Sequence, residues 1–418
     1  MKFRPIAISL SPNTEIDDLF LAFKSLLNLV VWKKGKYSFL LETWFRKYFN
    51  TEKVFLFNSG RSALFSVLKG MNLGKGDEVI VQGFTCTAVP DPILWCGAKP
   101  IFVDIDASLN IDNEKLEKSI TKKTKAIIVQ HTFGIPADIK KIKEITQKYN
   151  IILIEDCAHS LGAKIQGQKL GSFGDFAIFS FGRDKVVSSV FGGALLLNLN
   201  KANKNKISIA EKKIISDYNK LEYPSNHWIL QQLLHPILFS LILPIYNLEL
   251  GKVLLWIFQK LKILGKPVLR EELSGRRPRV FPAKLPDVLA RIALNQLSKL
   301  DKFNSRRRAI AAKYFLKLKE NSKIKLPEES EGAIYLRFNI LVDRRDEILK
   351  RFSAERILLG VWYSNVIDPK GVDYAKIGYT RGSLPISEKT AGLSLNLPTY
   401  PTLSDREVEK IISILEKI

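Results

Sequence analysis

Short apolar runs alternate with amphipathic patterns through the first half of the chain. Seven runs predict strands, at residues 54–57, 78–82, 100–105, 126–131, 151–156, 176–181 and 194–198. Patterns of helical period predict helices between several of them, at residues 61–71, 88–98 and 138–150. Strands that are apolar on both faces are typical of a parallel sheet covered by helices. The sequence therefore predicts an α/β domain, whose ligands bind beyond the carboxyl ends of the strands.

The α/β pattern stops near residue 200, and two different regions follow. The first mixes basic clusters with an uncharged apolar stretch. The second begins with long amphipathic helical patterns, continues with an apolar strand pattern at residues 333–343 and closes with a helical pattern at residues 405–418. We predict a large α/β domain with an N-terminal arm at 1–200, a helical insertion at 201–285 and a smaller C-terminal α+β domain at 286–418.

Charge and cysteine content narrow the class of protein. The 418 residues include 65 Lys and Arg against 42 Asp and Glu, a formal net charge of +23. Such a surplus favours polyanions, anionic lipid surfaces or phosphorylated metabolites as partners. We find no nucleic-acid recognition motif and predict no metal site. Three cysteines are too few for a disulfide framework, and Pro12 interrupts the N-terminus before an apolar signal segment forms, so we expect a cytoplasmic protein.

Two predicted strand ends carry complementary charges. Asp156 ends the strand at 151–156, and Lys185 follows the strand at 176–181 after a Gly-Arg-Asp turn. A lysine and an aspartate at one sheet edge suit pyridoxal phosphate, because lysine forms a Schiff base with its aldehyde and aspartate keeps its pyridine nitrogen protonated. A structural ion pair is the simpler interpretation of these two residues alone.

A possible phosphate site follows the first predicted strand. Ser59, Gly60 and Arg61 stand where that strand passes into a helix, and free backbone amides at a helix start bind phosphate. Arg61 adds a possible bidentate contact to a phosphate oxygen. Ser180, near the end of another strand, is a second candidate phosphate ligand, and His159 is a candidate cofactor contact. An ordinary helix cap, a serine bonded to backbone and a core histidine remain the alternatives.

Taken in order, these fragments resemble the DegT/DnrJ/StrS-type sugar aminotransferases, pyridoxal-phosphate enzymes of fold type I in the aspartate aminotransferase superfamily. The resemblance covers most of the chain outside about 201–280. It rests on the blocks NSGRSALFSVL, KGDEVIVQGFTCTAVPDPILWCGAKPIFVDID, HTFGIPADIKKI, IILIEDCAHSLGAKIQGQKLGSFGDFAIFSFGRDKVVSSVFGGALL, NQLSKLDKFNSRRRAIAAKY, GSLPISEK and LSLNLPTYPTLSDREVEKI.

The resemblance implies a role for each candidate. Lys185 matches the Schiff-base lysine, Asp156 the partner of the pyridine nitrogen and His159 a residue near the phenolic oxygen of the cofactor. Ser180 and the Ser59-Gly60-Arg61 turn match the phosphate-binding elements. The implied reaction moves an amino group from an amino acid, usually glutamate, to a keto nucleotide-sugar for amino-sugar and surface-glycan synthesis, in a homodimer with shared active sites.

Several positions depart from the family pattern. Cys86 stands where the family commonly has an aromatic residue stacked on the cofactor, and Phe84 is a candidate replacement. Arg61 replaces the usual threonine, residues 282–284 lack the usual Asn-x-Arg and Trp362 replaces a histidine. A branch that dehydrates sugars has histidine in place of Lys185, so Lys185 argues against that activity. The alternative function is a catalytically weak regulatory or membrane-associated scaffold protein of the same fold.

The insertion contains an unusual apolar stretch. Residues 223–248 carry no formal charge, and the apolar segment 252–264 follows. Polar residues and prolines interrupt the first stretch, which argues against a true membrane span. Two interpretations stay open. The first is helices packed on the enzyme's own surface or at the dimer interface. The second is an amphipathic hairpin in a membrane interface, with Trp228 and Trp256 at headgroup level and basic residues facing anionic lipid. The second predicts peripheral contact with the inner membrane face through residues 223–264.

Overall fold

The computed structural model describes residues 5–198 and 203–418. Its strands are β1 (Ile6–Ala7), β2 (Lys53–Phe57), β3 (Glu78–Gln82), β4 (Thr85–Cys86), β5 (Lys99–Val103), β6 (Thr124–Gln130), β7 (Ile152–Asp156), β8 (Lys164–Ile165), β9 (Gln168–Lys169), β10 (Phe176–Ser180), β11 (Gly193–Leu197), β12 (Phe338–Leu341), β13 (Ile357–Leu358), β14 (Ile367–Asp368) and β15 (Ser394–Leu397).

The α-helices follow the same chain order. They are α1 (Ile16–Leu26), α2 (Lys36–Phe49), α3 (Gly60–Gly70), α4 (Pro90–Trp95), α5 (Asn113–Lys118), α6 (Ile139–Lys148), α7 (Lys204–Lys220), α8 (Asn226–Ile242), α9 (Leu250–Lys260), α10 (Asp287–Leu297), α11 (Leu300–Leu318), α12 (Arg345–Ala354), α13 (Tyr374–Ile377), α14 (Pro385–Leu393) and α15 (Asp405–Leu415). Short 3-10 helices include Leu243–Leu248 and Glu272–Ser274.

A seven-stranded sheet forms the centre of the large domain, in the order β2-β11-β10-β7-β6-β3-β5. Each of its strands coincides with one of the seven apolar runs. Strands β10, β7, β6, β3 and β5 run parallel to one another, whereas β11 runs antiparallel to both β10 and β2. Apolar cores lie on both faces, which explains the absence of polar alternation in these strands. The predicted mostly parallel α/β architecture is confirmed.

The C-terminal region contains a second apolar core with its own small sheets. Strand β12 pairs with β15, and α11 and α15 pack over them. Strand β1 from the N-terminal arm pairs with β13, so the arm joins this region rather than the large sheet. The helical pattern after residue 286 divides into two helices, of which α10 packs in the core of the large domain. The strand expected at 333–343 is confined to β12, and the domain boundaries stay predictions.

The region after residue 203 folds back onto the large domain through helices α7 and α8. Ile229, Leu233 and Phe239 on α8 are buried, and buried His235 hydrogen-bonds Ser11 at 2.8 Å. Trp228 is half-buried, with its ring centroid 5.5 Å from that of Phe191. The expectation that Trp228 sits at a membrane surface is therefore wrong, because its ring packs against the protein. Helix α9, in contrast, leaves one side exposed.

A buried carboxylate fixes the strand that leads to the predicted site. Glu155 on β7 accepts hydrogen bonds from the amides of Gly171, Phe173 and Gly174 at 2.7–2.8 Å. It also accepts a bond from His131 Nε2 at 3.3 Å, since His131 Nδ1 is occupied by the amide of Ala137. His131, Glu155 and Cys157 lie close enough to resemble a metal cluster. Because Glu155 is satisfied by amide donors, we interpret the group as a structural network.

We predict that Glu155→Ala destabilises the fold strongly, because three amides and one imidazole lose their buried acceptor. The expected loss in the free energy of unfolding is about 4 kcal/mol, measured by urea denaturation. The control is Glu144→Ala, which removes an exposed carboxylate paired with Lys141 and changes stability by less than about 0.5 kcal/mol. Equal effects of the two substitutions would contradict the structural role of Glu155.

Candidate active site

All eight candidate residues line one cavity of about 280 Å³ beyond the carboxyl ends of the central strands. This volume is near the lower end of the range for small-molecule sites, about 300–1,000 Å³. The candidates are Ser59, Gly60, Arg61, Cys86, Asp156, His159, Ser180 and Lys185. The structure thus brings together residues that are up to 126 positions apart in the sequence.

Two neighbouring parallel strands deliver Asp156 and Lys185. Asp156 is the last residue of β7 and lies opposite Ile178 of β10. After β10 the chain turns at Gly182 and brings Lys185 back to the same edge. Each of the two side chains favours the charged form of the other. The predicted proximity of this amine and this carboxylate agrees with the geometry.

Lys185 and His159 form the closest pair in the cavity, with 2.8 Å between Nζ and Nε2. The amide of Phe133 donates to Nδ1 of His159 at 3.3 Å, so a neutral His159 carries its proton on Nε2 and donates it to Lys185. Burial, and then the charge of Arg337, lower the pKa of Lys185 to about 8. Burial also holds the pKa of His159 well below its usual value. Both shifts favour the neutral forms, although Lys185 with a pKa of about 8 still carries its proton in most molecules at pH 7.

The carboxyl of Asp156 is buried at the base of the cavity. Its Oδ1 accepts the amide of Ala158 at 3.0 Å. Burial raises the pKa of Asp156, although Lys185 opposes this shift. A buried carboxylate is stabilised by an opposite charge placed beside it. The site therefore fits a ligand that presents a protonated nitrogen.

A close approach of backbone segments forms the phosphate-binding candidate. The Ser59 hydroxyl caps α3 by accepting the amide of Ser62 at 3.1 Å. The amides of Gly60 and Arg61 then lack intrahelical partners, as the first turn of a helix requires. A Cβ atom at Gly60 would lie 3.1 Å from Cβ of Ser180, and one at Gly193 would lie 2.5 Å from the amide nitrogen of Gly60. Gly193 therefore leaves no room for a side chain, and Gly60 leaves little. The free amides and hydroxyls of this cradle suit an anion chemically.

The Arg61 guanidinium is held by the segment that follows the insertion hairpin. It forms an ion pair with Glu272, which is fully buried, and donates to the carbonyl of Pro267 at 2.9 Å. Its guanidinium carbon lies 5.0 Å from the ring centroid of Phe281. The expected bidentate contact of Arg61 with phosphate needs the same nitrogens, so these contacts compete with it.

Phe84 does not supply the aromatic ring expected at Cys86. Cys86 on β4 lines the cavity, and burial raises the pKa of its thiol. Phe84 is completely buried against Phe133 and Tyr363 and is not among the lining residues, so it does not replace a stacked ring. Trp362 does line the cavity. Its ring centroid lies 3.7 Å from the guanidinium carbon of Arg337.

Two arginines in the cavity wall were not anticipated from the sequence. Arg337 precedes β12 and is 5% exposed, and its charge lowers the pKa of Lys185. Arg183 donates to the carbonyl of Gly265 at 2.9 Å. Two atoms are buried without hydrogen-bond partners, Nε of Arg183 and Oδ1 of Asp184. A lone arginine inside the apolar run at 333–343 was the available signal for Arg337. Both cations suit an anionic substrate.

Two relatives of similar length bear on the function. A Geobacillus stearothermophilus protein named "Pleiotropic regulatory protein" is 28% identical over 360 residues, which cover 85% of this chain and 82% of the relative. The UDP-N-acetyl-3-dehydro-alpha-D-glucosamine 3-aminotransferase of Acidithiobacillus ferrooxidans is 29% identical over 362 residues, covering 86% and 82%. Sequences related to this chain thus include a named sugar aminotransferase and a named regulatory protein.

Structural comparison and a family model identify the wider group. The crystal structure of S. venezuelae DesV in complex with a ketimine intermediate has a TM-score of 0.73 and 24% identity, over 96% of this chain and 94% of DesV, which supports the expected fold. The model of the DegT/DnrJ/EryC1/StrS aminotransferase family matches residues 14–217 and 263–416. The match confirms the expected enzyme class and indicates pyridoxal phosphate as the cofactor. The chain therefore belongs to the DegT/DnrJ/EryC1/StrS aminotransferase family.

Proposed function

We propose that the protein transfers an amino group from an amino acid, with glutamate as the donor, to the keto group of a nucleotide-sugar. The observation that carries the proposal is the single cavity that contains Lys185, Asp156 and the glycine cradle. The printed activity of the Acidithiobacillus relative supports a keto nucleotide-sugar as acceptor. The product is an amino sugar for a surface glycan, made in the cytoplasm by a homodimer whose sites are shared between subunits.

Pyridoxal phosphate supplies an electron sink that stabilises negative charge on the substrate carbon. In the proposed arrangement Asp156 binds the protonated pyridine nitrogen. Ser59, Gly60 and Ser180 bind the phosphate through hydroxyls and free amides. Cys86 has no ring that would stack on the cofactor, so we expect it to contribute about 1 kcal/mol less to cofactor binding than an aromatic residue would.

Lys185 is proposed as the group that links to the cofactor aldehyde and moves the substrate proton. At pH 7, a pKa of about 8 leaves ~10% of this amine neutral, against ~0.03% for an ordinary lysine. Protonating Lys185 would turn His159 into an acceptor at Nε2 and set its Nδ1 proton against the Phe133 amide. His159 is therefore proposed to hold the nucleophilic, neutral form of Lys185 in place.

Arg61 is proposed to close the outer side of the phosphate site instead of binding phosphate by a bidentate contact. Glu272 and the carbonyl of Pro267 occupy its two terminal nitrogens. The charge of Arg61 still lies beside the cradle and favours a dianionic phosphate. In this arrangement the hydroxyls and amides position the phosphate, and the Arg61–Glu272 pair fastens the wall around it.

A second candidate function has one observation in its favour, the name of the Geobacillus relative. In this alternative the protein binds the cofactor but turns over weakly, as a regulatory or membrane-associated scaffold. The lysine and aspartate at positions 185 and 156 favour catalysis instead. Adding glutamate to the cofactor-loaded protein separates the two, because only a transaminase converts the bound cofactor to its amino form and changes the visible spectrum.

The first prediction concerns Lys185. Lys185→Ala abolishes both the visible absorption band of the linked cofactor and amino transfer, because the nucleophilic amine is lost. Absorption spectra and a glutamate-dependent transfer assay with keto nucleotide-sugars measure the two effects. The surface variant Lys213→Ala is the control and retains both. Residual transfer by Lys185→Ala at the rate of the unmodified protein would exclude the proposed role.

The second prediction is a pH dependence. Apoprotein mixed with pyridoxal phosphate gains its absorption band at a rate that rises with pH to a midpoint near 8, as Lys185 loses its proton. Arg337→Gln moves the midpoint upward, because a cation that disfavours protonated Lys185 is gone. N-acetyl-lysine methyl ester under the same conditions reports the behaviour of an ordinary amine. A protein midpoint equal to that of the model amine would refute the pKa argument.

The third prediction is a coupling between Arg61 and Glu272. Arg61→Gln and Glu272→Gln each lower the free energy of unfolding by about 3 kcal/mol, because each leaves a buried charge without its partner. The double variant loses less than the sum, with a coupling of about 1.5 kcal/mol measured by urea denaturation. The same cycle on the exposed pair Lys141–Glu144 gives a coupling near zero. Additive effects at Arg61 and Glu272 would show that the ion pair contributes nothing.

A further inference from the structure

We infer that one face of the protein binds the surface of an anionic lipid bilayer. The face combines the outer side of α1 with the exposed tip and outer side of a hairpin, defined here as residues 226–261. We call it the apolar–basic face. This inference concerns the contact with the inner membrane face that the sequence analysis left open. It does not depend on the aminotransferase chemistry.

Helix α1 turns its apolar side to solvent. Ile16, Phe20, Phe23 and Leu27 recur at helical spacing along one stripe, and they are between 54% and 76% exposed. The opposite side of the helix buries small and polar residues, including Asp18 and Ser25. Beyond the helix, Val30 is 90% exposed. Among the residues that the structure describes, no segment packs over the apolar stripe of α1.

The hairpin exposes a second apolar set beside the first. Its members, between 50% and 65% exposed, are Leu241, Leu250, Val253, Trp256 and Leu261. Helix α1 packs along α8, and Leu19 shares a small surface pocket with Pro236 and Leu243. The two exposed sets therefore belong to neighbouring elements. Trp256 also has the amphipathic ring that is enriched at membrane interfaces.

Cations predominate around both apolar sets. The acids at their edges are ion-paired, Glu249 with Lys252 and both Glu15 and Asp17 with Lys299. Residues 19–41 contain four lysines and no acidic residue, and residues 250–270 contain four lysines, one arginine and no acidic residue. On α9, Lys252 and Lys260 flank Val253 and Trp256, with Lys260 Nζ 4.8 Å from the Trp256 ring centroid. Apolar side chains rimmed by cations are complementary to anionic headgroups above an acyl layer.

Other occupants of this face fit the charges less well. A twofold contact with a second copy would bring the cations of the face against themselves. A membrane span also fits poorly. Within the described ranges, one helical stretch, Asn226–Tyr246, has the length and composition to cross a bilayer. However, its Gln232 and His235 are buried, and His235 is bonded to Ser11, so the stretch packs on the protein.

The hairpin also lies outside the part of the chain that corresponds to the family model. The two matched ranges leave out residues 218–262. The exposed side of α9 therefore lies in a segment that the family match does not cover, which agrees with a separate binding role.

The test is flotation of the cofactor-loaded, full-length protein with lipid vesicles. We expect it to float with phosphatidylcholine vesicles that contain about 30% phosphatidylglycerol, not with phosphatidylcholine alone, and to be released at high ionic strength. Val253→Ser/Trp256→Ser, Phe20→Ser/Phe23→Ser and Lys260→Glu/Lys262→Glu each lower binding about tenfold or more. The controls on α11, Leu316→Ser and Lys317→Glu/Lys319→Glu, bind as the unmodified protein does.

The outcomes separate the possible occupants and the two proposals. No flotation, or equal flotation with neutral vesicles, overturns the inference. The inference is also overturned if Phe20→Ser/Phe23→Ser floats as before but light scattering shows that it has changed from a dimer to a monomer. The apolar stripe would then contact a second copy of the chain. All face variants keep the cofactor absorption band, whereas Lys185→Ala loses the band and still floats. Failure of membrane binding is thereby distinguished from failure of the catalytic proposal.

Discussion

The parallel pairing of β7 with β10 is the constraint on which the site depends. The register of this pair sets Ile178 opposite Asp156. The turn after β10 therefore brings Lys185 to the sheet edge where β7 ends. Successive residues of a strand point to opposite faces. Glu155, held by three amides on one face, therefore fixes the direction of Asp156 on the other. A structural carboxylate and the carboxylate proposed to bind the cofactor occupy adjacent positions, and the first orients the second.

The electrostatics of the cavity follow from placing several cations in a small buried volume. Lys185 shares the lining with Arg183 and Arg337. The acids that oppose these cations in the lining are Asp156, Asp184 and Asp368. Burial raises the pKa of Asp184 to about 6, so even this carboxyl holds its negative charge less firmly than an exposed aspartate. Under these conditions the lysine is the cation that gives up its proton most readily, because a guanidinium retains its charge far above neutral pH. The site thus obtains a neutral amine without a dedicated base.

Much of the fold and the centre of the site were predictable from the sequence, for identifiable reasons. Seven uninterrupted apolar runs mark the central strands, and the charged residues that follow two of them mark the ligand edge. The roles of Arg337 and Glu272 were not predictable in this way. Glu272 lies 211 positions after Arg61, and no local pattern reports which buried cation a distant carboxylate meets. The outward turn of the α1 stripe was missed for a related reason, since periodicity identifies an apolar side but not what covers it.

The insertion joins the surface of the molecule to the wall of its cavity. At the base of the hairpin, Gln231 donates to the carbonyl of Lys262 at 2.6 Å, and Arg183 donates to that of Gly265 at 2.9 Å. Pro267 and Val268 follow at once and line the cavity, and Glu272 then holds Arg61. The position of the hairpin base is therefore part of the geometry around the phosphate cradle. Because the family match resumes at residue 263, the residues that join the hairpin to the cavity wall lie within the matched part of the chain.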